Sequence, residues 1–64
     1  MVKGPTYRPG QIVPNSGQYG VVNRVGTYLG REATLVRGKV FPPVAHLRGE
    51  FGWRLRDLTV HRYR

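Results

Sequence analysis

The chain of 64 residues contains no cysteine and only three acidic residues, Glu32, Glu50 and Asp57. Without cysteine, neither a disulfide framework nor a thiolate metal site can reinforce the core. The two histidines, His46 and His61, lie far apart in the sequence. We therefore predict that the protein binds no metal ion and no cofactor.

Long apolar runs are also missing. No stretch approaches the roughly 18 apolar residues that a membrane-spanning helix requires, and the first residues lack the apolar segment of a secretion signal. We therefore expect a soluble, cytoplasmic protein that does not bind a membrane.

The scarcity of carboxylates and the short chain both argue against an enzyme. A chain of this size does not readily enclose a pocket of several hundred Å³. Glu50 and His46 are an acid and a base in local reach, and we interpret them as two solvated loop side chains.

What the sequence does contain is positive charge. Eleven Lys and Arg residues against three acidic ones give a formal net charge of +8. Such a density attracts polyanions and keeps copies of the protein apart. The alternative is that the charge serves only solubility. Basic groups clustered on one face would favour polyanion binding, and basic groups scattered over many faces would favour solubility.

The clearest strand signal lies in residues 30–41. Apolar and polar residues alternate there with a period of two, and Gly38 then permits a sharp reversal. We predict a central strand, a turn and a short extended piece that ends at Phe41. Residues 44–50 are long enough for one helical turn.

A second strand is predicted over residues 18–25. Tyr19, Val21 and Val25 share one side of it, and Gly20 indicates a bulge or a close backbone approach.

The last predicted strand covers residues 51–60. Its alternation puts Trp53, Leu55 and Asp57 on one side and Arg54 and Arg56 on the other. Trp53 and Leu55 then enter the core, and both guanidiniums stay in water.

These elements predict an all-β fold, a three- or four-stranded antiparallel meander, with a partial SH3-like barrel as a variant. We expect a flexible leader over residues 1–9, whose Tyr7 can pack back onto the sheet, a single domain over residues 10–60 and a basic tail over residues 61–64. The predicted core members are Tyr19, Val21, Leu35, Phe41, Trp53 and Leu55.

Several turn and aromatic positions resemble a known family. They are Pro9-Gly10-Gln11, Pro14-Asn15, Gly17-x-Tyr19, Gly38-x-x-Phe41-Pro42 and Trp53. Over residues 9–56 the chain resembles the YjzC-like family of short, uncharacterised bacterial proteins, and it departs from them in its arginine content and basic C-terminus. The resemblance implies a small β-rich module and carries no catalytic motif.

The charge and the aromatic residues together favour a non-enzymatic module that binds RNA or DNA, because sheet-based binders combine cationic side chains with aromatic stacking platforms. Tyr19 and Trp53 are assigned to the core and not to such a platform. The predicted interface is a basic stripe with two tyrosines, made of Arg31, Arg37, Lys39, Arg54, Arg56, Tyr28 and Tyr63.

The alternative is a protein-interaction module. It pairs with a partner through a sheet edge or binds an acidic protein partner. Aromatic exposure separates the two hypotheses. A nucleic-acid binder needs an aromatic ring open to solvent among the arginines, whereas an edge-pairing module needs a bare strand.

Overall fold

The computed structural model describes residues 4–58, which form one open, three-stranded antiparallel sheet. Its strands are β1, Gly17–Val22, β2, Tyr28–Leu35, and β3, Gly52–Leu58, and the helical piece in that range is a 3₁₀ turn, His46–Arg48. The prediction of an all-β antiparallel fold is confirmed, as is that of a helical turn before the last strand. No helix in the described part of the chain is long and apolar enough to cross a membrane.

The strand order is β2-β1-β3, so β1 is the central strand and β2 lies at an edge. The prediction that residues 30–41 hold the central strand is therefore wrong. Five of the six residues of β1 are buried, whereas most of β2 is exposed. A strand covered on both faces alternates less clearly than a half-exposed strand, which is why the edge strand gave the stronger signal.

An irregularity separates the two ends of the β1–β2 ladder. Gly20 pairs with Glu32, but Val22 pairs with Tyr28, so β2 contains extra residues at this point. Gly30 lies among them and has a φ of 94°, a conformation that favours glycine. The irregularity predicted at Gly20 is therefore confirmed, although the bulged strand is its partner.

A second bulge lies in β3. Tyr19 pairs with Leu55, but the neighbouring Gln18 pairs with Asp57, so Arg56 is the extra residue. Because directly opposite residues point to the same face, Asp57 shares the face of Gln18 and not that of Leu55. The predicted alternation of β3 therefore holds up to Leu55 and fails at Asp57.

The core covers one face of the sheet. Four of the six predicted core residues are buried, and two pack against the core while partly exposed. The buried cluster consists of Val13, Tyr19, Val21, Phe41 and Trp53, with Leu35 and Leu55 at its border. Val13 was not predicted, since it precedes β1 and has no periodic neighbours.

The polar ends of the two largest core rings are satisfied. The Trp53 Nε1–H donates to the Pro42 carbonyl at 3.0 Å, and the Tyr19 hydroxyl donates to the Asn15 carbonyl at 2.7 Å. Two loop carbonyls, one before β1 and one after β2, therefore hold the core rings in place.

Residues 6–8 attach to the outer edge of β3. Tyr7 and Trp53 exchange two backbone hydrogen bonds of 2.7 and 2.8 Å, and the Tyr7 ring stacks on Phe41 at 4.8 Å between centroids. This part of the segment predicted as a flexible leader is therefore attached to β3 through one isolated bridge, as anticipated for Tyr7. Residues 1–3 and the tail predicted over residues 61–64 lie outside the described residues.

Candidate functional site

Three of the predicted interface residues, Tyr28, Arg54 and Arg56, lie on the face of the sheet opposite the core, which we call the far face. The Arg56 guanidinium lies 3.9 Å from the centroid of the Tyr28 ring. Both side chains pass over Gly20, where a Cβ atom would lie 2.8 Å from each of them. Glycine at this position therefore makes their contact possible. Tyr63 lies outside the described residues.

Arg56 is tied to the far face by an ion pair. Its Nη1 lies 2.8 Å from Oε2 of Glu32, and the Tyr28 hydroxyl donates to the same oxygen at 2.7 Å. The Gln18 amide donates to Glu32 Oε1 at 3.1 Å and accepts a 2.7 Å hydrogen bond from the Thr34 hydroxyl. We call these five side chains the Glu32 network.

The Glu32 network shifts two pKa values in opposite directions. The hydrogen bonds from Tyr28 and then from Gln18 hold the pKa of Glu32 below its ordinary value of 4.5. The same Tyr28–Glu32 bond raises the pKa of the Tyr28 hydroxyl above its ordinary value of 10.0. At neutral pH, Glu32 is therefore ionised and Tyr28 is a neutral donor.

Arg54 is also engaged on the far face. It is partly buried, and its Nε–H donates to Thr6 Oγ1 at 2.8 Å. The prediction that Arg54 and Arg56 stay in water is therefore wrong, because each is partly buried and hydrogen-bonded within the fold. Glu32 and Asp57 share this face, so two carboxylates offset its two guanidiniums.

The other predicted interface residues lie elsewhere. Arg31 is on the core side of β2, where its Nη1 lies 3.2 Å from Oε1 of Glu50. Arg37 and Lys39 lie in the turn after β2, beside Val13, whose N–H donates to the Lys39 carbonyl at 2.7 Å. The predicted basic stripe is thus divided among three places and is not continuous.

A second group of arginines surrounds Phe51, just before β3. The guanidiniums of Arg8 and Arg24 lie 3.9 and 5.3 Å from the centroid of this partly buried ring. Arg8 is held there because its Nε–H donates to the Phe51 carbonyl at 3.0 Å. Phe51 is therefore an aromatic ring among arginines that the sequence reading did not include.

The Phe51 ring borders an open cleft of about 330 Å³, which we call the Phe51 cleft. The cleft is open to solvent, so it does not contradict the expectation that so short a chain does not readily enclose a pocket. The cleft forms between two loops that pack side by side at one end of the sheet. Its lining residues are Asn23, Arg24, Val25, His46, Gly49, Glu50 and Phe51.

One wall of the cleft is the β1–β2 connection. Oδ1 of Asn23 accepts hydrogen bonds from the N–H groups of Val25 at 3.1 Å and Thr27 at 2.9 Å. Such a side chain closes a turn on its own backbone and ends the strand before it. Val25 was predicted to continue that strand, but it is 82% exposed in the turn.

The other wall contains Glu50, which is only 8% exposed. Its Oε1 accepts hydrogen bonds from the Ala45 N–H at 2.7 Å and from Nη1 of Arg31 at 3.2 Å. The carboxylate therefore closes the loop around the 3₁₀ turn, and the prediction of a solvated side chain is wrong. His46 is exposed, as predicted.

The charges on the two sides of the molecule differ. Within residues 4–58, the ion pairs join Glu32 to Arg56 and Glu50 to Arg31. Three other arginines at or beside the cleft, Arg8, Arg24 and Arg48, are exposed and have no ion pair in that range. Unpaired positive charge therefore adjoins the Phe51 cleft, while Arg37, Lys39 and Arg54 are also without an ion pair in that range and lie elsewhere.

Sequence reasoning missed Arg8, Arg24 and Phe51 for different reasons. Arg8 lies in a proline-rich leader without a period, and Arg24 was assigned to a strand. The available signal was Asn23 before Gly26, because an Asn that bonds its own backbone in a turn would put Arg24 at a loop tip.

Comparisons with family models, with curated proteins and with solved structures find no match for this chain.

Proposed function

We propose that this protein is a small, non-enzymatic, cytoplasmic module that binds RNA or DNA through the Phe51 cleft. The observation that supports this proposal best is the pair of arginines, Arg8 and Arg24, against the ring of Phe51, which lines the cleft. Guanidinium groups bind phosphates as bidentate donors, and they also offer a flat surface on which a base can stack.

The net charge supports the same proposal. A formal charge of +8 draws a polyanion toward the protein. On the far face, Glu32 and Asp57 lie among the guanidiniums and repel phosphates. At the cleft, the nearest carboxylate, Glu50, is paired with Arg31. The cleft is therefore the better place for an anionic backbone to make contact.

The test is a titration with labelled oligonucleotides at several salt concentrations. Each phosphate contact lowers the slope of log K against log salt by about 0.7 on single strands and about 0.9 on duplex DNA. The double variant Arg24→Gln, Arg48→Gln removes two exposed charges and should flatten the slope on a single strand by about 1.4.

The matched control is the double variant Arg37→Gln, Lys39→Gln. It removes the same charge from an exposed turn beside Val13 and should change the slope much less. Equal effects of the two double variants would mean that net charge alone attracts the strand. Absence of any binding at about 50 mM salt and tens of micromolar protein would contradict the proposal, since even non-specific complexes reach about 10⁻⁴ to 10⁻⁶ M.

One observation favours the alternative, a protein partner that pairs with a sheet edge. The outer edge of β2 has no strand partner among residues 4–58, whereas Tyr7 covers part of the outer edge of β3. However, the bulge at Gly30 interrupts β2, and bulges are a common protection against edge pairing.

Hydrogen exchange separates the two functions. A strand that pairs with β2 should protect the amides of residues 31–35, and its binding should depend little on salt. A ligand in the Phe51 cleft should instead protect residues 23–26 and 46–51. Protection confined to residues 31–35 would favour the alternative.

A further inference from the structure

We infer that an acidic protein segment with apolar side chains binds a second surface, on two extended segments that pack over the core. These segments are residues 10–13 and residues 38–41, which we call the ribbon. The ribbon shares no residue with the lining of the Phe51 cleft, so this inference goes beyond the proposed function and does not rest on it.

Backbone hydrogen bonds flank an antiparallel pair in the ribbon, Ile12 and Val40. On one side of the pair, the Val13 N–H donates to the Lys39 carbonyl at 2.7 Å. On the other side, the Phe41 N–H donates to the carbonyl of the residue before Ile12 at 2.8 Å. Paired residues between two such hydrogen bonds have side chains that point to the same face and lie close together.

The two faces of the ribbon differ in burial. Val13 and Phe41 are buried and belong to the core. Successive side chains of an extended segment point to opposite faces, so Ile12 and Val40 point away from the core. They are 60% and 55% exposed. The outer face of the ribbon therefore presents two aliphatic side chains next to each other in solvent.

The turn at the end of the ribbon adds positive charge. Arg37 and Lys39 are exposed, and within residues 4–58 neither forms an ion pair. None of the three acidic residues of the chain lies in residues 9–16 or 36–45. Two of the three, Glu32 and Glu50, are paired with other arginines. The aliphatic pair is therefore accompanied by two cations that a carboxylate of a partner can neutralise.

This combination of side chains fits an acidic protein segment better than other occupants. Apolar side chains of a partner are stabilised by contact with Ile12 and Val40. A nucleic acid stacks its bases on aromatic rings and guanidinium planes, and these two side chains are neither. A second copy of the chain carries a net charge of +8 and brings its own Arg37 and Lys39 to the contact, where like charges repel. Carboxylates beside apolar residues match both parts of the surface.

The experiment uses short synthetic peptides built around a Leu-x-Leu pair, because side chains two residues apart share one face of an extended segment. In the test peptide, glutamates flank the leucines. One control peptide has serines in place of the leucines, and another has lysines in place of the glutamates. The test peptide should bind the wild-type protein about tenfold more tightly than either control. The amide shifts that it causes should centre on residues 10–13 and 36–41.

Two matched Val→Thr variants test the apolar part of the surface. Val40→Thr and Val25→Thr make the same change at two exposed valines, one in the ribbon and one at the Phe51 cleft. Both variants keep a β-branched side chain at an exposed position, so both should fold. Val40→Thr should weaken binding of the test peptide about fivefold, and Val25→Thr should leave it unchanged. If Val40→Thr does not fold, the amide shifts of the wild-type protein decide the location.

Two matched charge variants test the cationic part. The double variant Arg37→Gln, Lys39→Gln should weaken binding of the test peptide about fivefold, the effect of two exposed ion pairs. The double variant Arg24→Gln, Arg48→Gln lowers the net charge equally and should weaken it much less. For oligonucleotides, the proposed function predicts the reverse order.

The outcomes separate this inference from the proposed function. If the serine peptide binds as tightly as the test peptide, charge alone attracts it and the inference is wrong. If the variants at the cleft weaken the test peptide and those in the ribbon do not, the peptide binds at the cleft and the inference is wrong. A protein dimer that Val40→Thr dissociates in sedimentation would make a second copy the occupant and would also contradict it. If no peptide binds at about 1 mM, the inference is wrong, and the oligonucleotide titration still decides the proposed function.

Discussion

Two regions of this molecule place an arginine against an aromatic ring at the same distance. Arg56 lies 3.9 Å from the Tyr28 centroid on the far face, and Arg8 lies 3.9 Å from the Phe51 centroid at the cleft. In the first region, Glu32 neutralises the guanidinium and accepts the tyrosine hydroxyl. In the second region, no carboxylate of the described residues pairs with Arg8.

The difference shows that the number of arginines on a surface does not measure how many of them are open to a ligand. The one arginine of the Glu32 network, Arg56, is partly buried and joins β3 to β2 through Glu32. At the Phe51 cleft, Arg8 is held by the Phe51 carbonyl, and neither Arg8 nor Arg24 has an ion pair within residues 4–58. We therefore expect substitutions in the Glu32 network to change stability and substitutions at the cleft to change binding.

The largest expected effect on stability is that of replacing Trp53, because both regions should unfold together. Trp53 is 1% exposed and pairs with both β1 and Tyr7. Trp53→Ala should cost about 3 to 5 kcal/mol, close to the whole stability of so small a domain, and it should unfold most of the protein at 25 °C. Thermal melting followed by circular dichroism tests this. A cooperative melt with an unchanged midpoint would contradict the assignment of Trp53 to the core.

A smaller effect should be confined to the far face. In Gly20→Ala, the new methyl group would lie 2.8 Å from Arg56 Cδ and from the Tyr28 ring. One of the two must move, and we expect a loss of about 1 to 3 kcal/mol, as for other overpacked sites. Chemical denaturation measures the loss. Oligonucleotide binding by the folded fraction should not change, and a matching loss of affinity would show that the far face takes part in binding.

The dependence of stability on acid pH tests the role of Glu32 on the far face. Because the folded state lowers the pKa of Glu32, this carboxylate stabilises the fold above its unfolded value of 4.5, and the contribution is lost as the pH falls through the lower folded value. Glu32→Gln should therefore reduce the melting temperature at neutral pH and flatten its fall below pH 4.5. A parallel fall in both proteins would show that Glu32 is not the group responsible.

At high pH, the shifted pKa of Tyr28 makes the stability of the fold depend on pH in the opposite direction. The pKa of Tyr28 is raised above 10.0 by its hydrogen bond to Glu32, so the fold should lose stability as the pH rises above that value. Tyr28→Phe removes this titration and should weaken the fall. Burial also raises the pKa of Tyr19, so part of the alkaline loss should remain in the variant.

The smallest expected effect on stability belongs to the cleft. Arg24 is exposed and forms no ion pair within residues 4–58. Arg24→Gln should change the free energy of unfolding by less than about 0.5 kcal/mol, as is usual for a surface substitution. Thermal melting of Arg24→Gln and Gly20→Ala under the same conditions compares the two losses of stability. A loss as large as that of Gly20→Ala would mean that Arg24 supports the fold.

Much of the fold could be predicted from the sequence, because bulky apolar residues recur at every second position where a strand faces the core. Tyr19 and Val21 in β1, and Trp53 in β3, were assigned to the core on that pattern, and all three are buried. The pattern failed where a bulge adds a residue. At Arg56 the register shifts, and a rule with a period of two then puts Asp57 on the wrong face.

The site was less predictable, because its contacts join residues that are distant in the sequence. Arg8 reaches Phe51, and Arg31 reaches Glu50. Nothing near Glu50 in the sequence indicates that it is buried, since its partner lies in another strand. Alternation correctly put Arg54 and Arg56 on the far face, but it could not indicate that Thr6 and Glu32 would bind them there.

Because Trp53 lies in β3, the core can be completed only after β1 and β2 have been synthesised. During synthesis, β1 and β2 emerge with their connecting turn, but β3 and Trp53 follow only after the loop that contains the 3₁₀ turn. Until then one edge of β1 is bare and the core lacks its largest ring. Such nonlocal pairing slows folding and leaves the nascent chain open to aggregation. Repulsion between like charges opposes contact between such chains, so the arginines act before the sheet is complete.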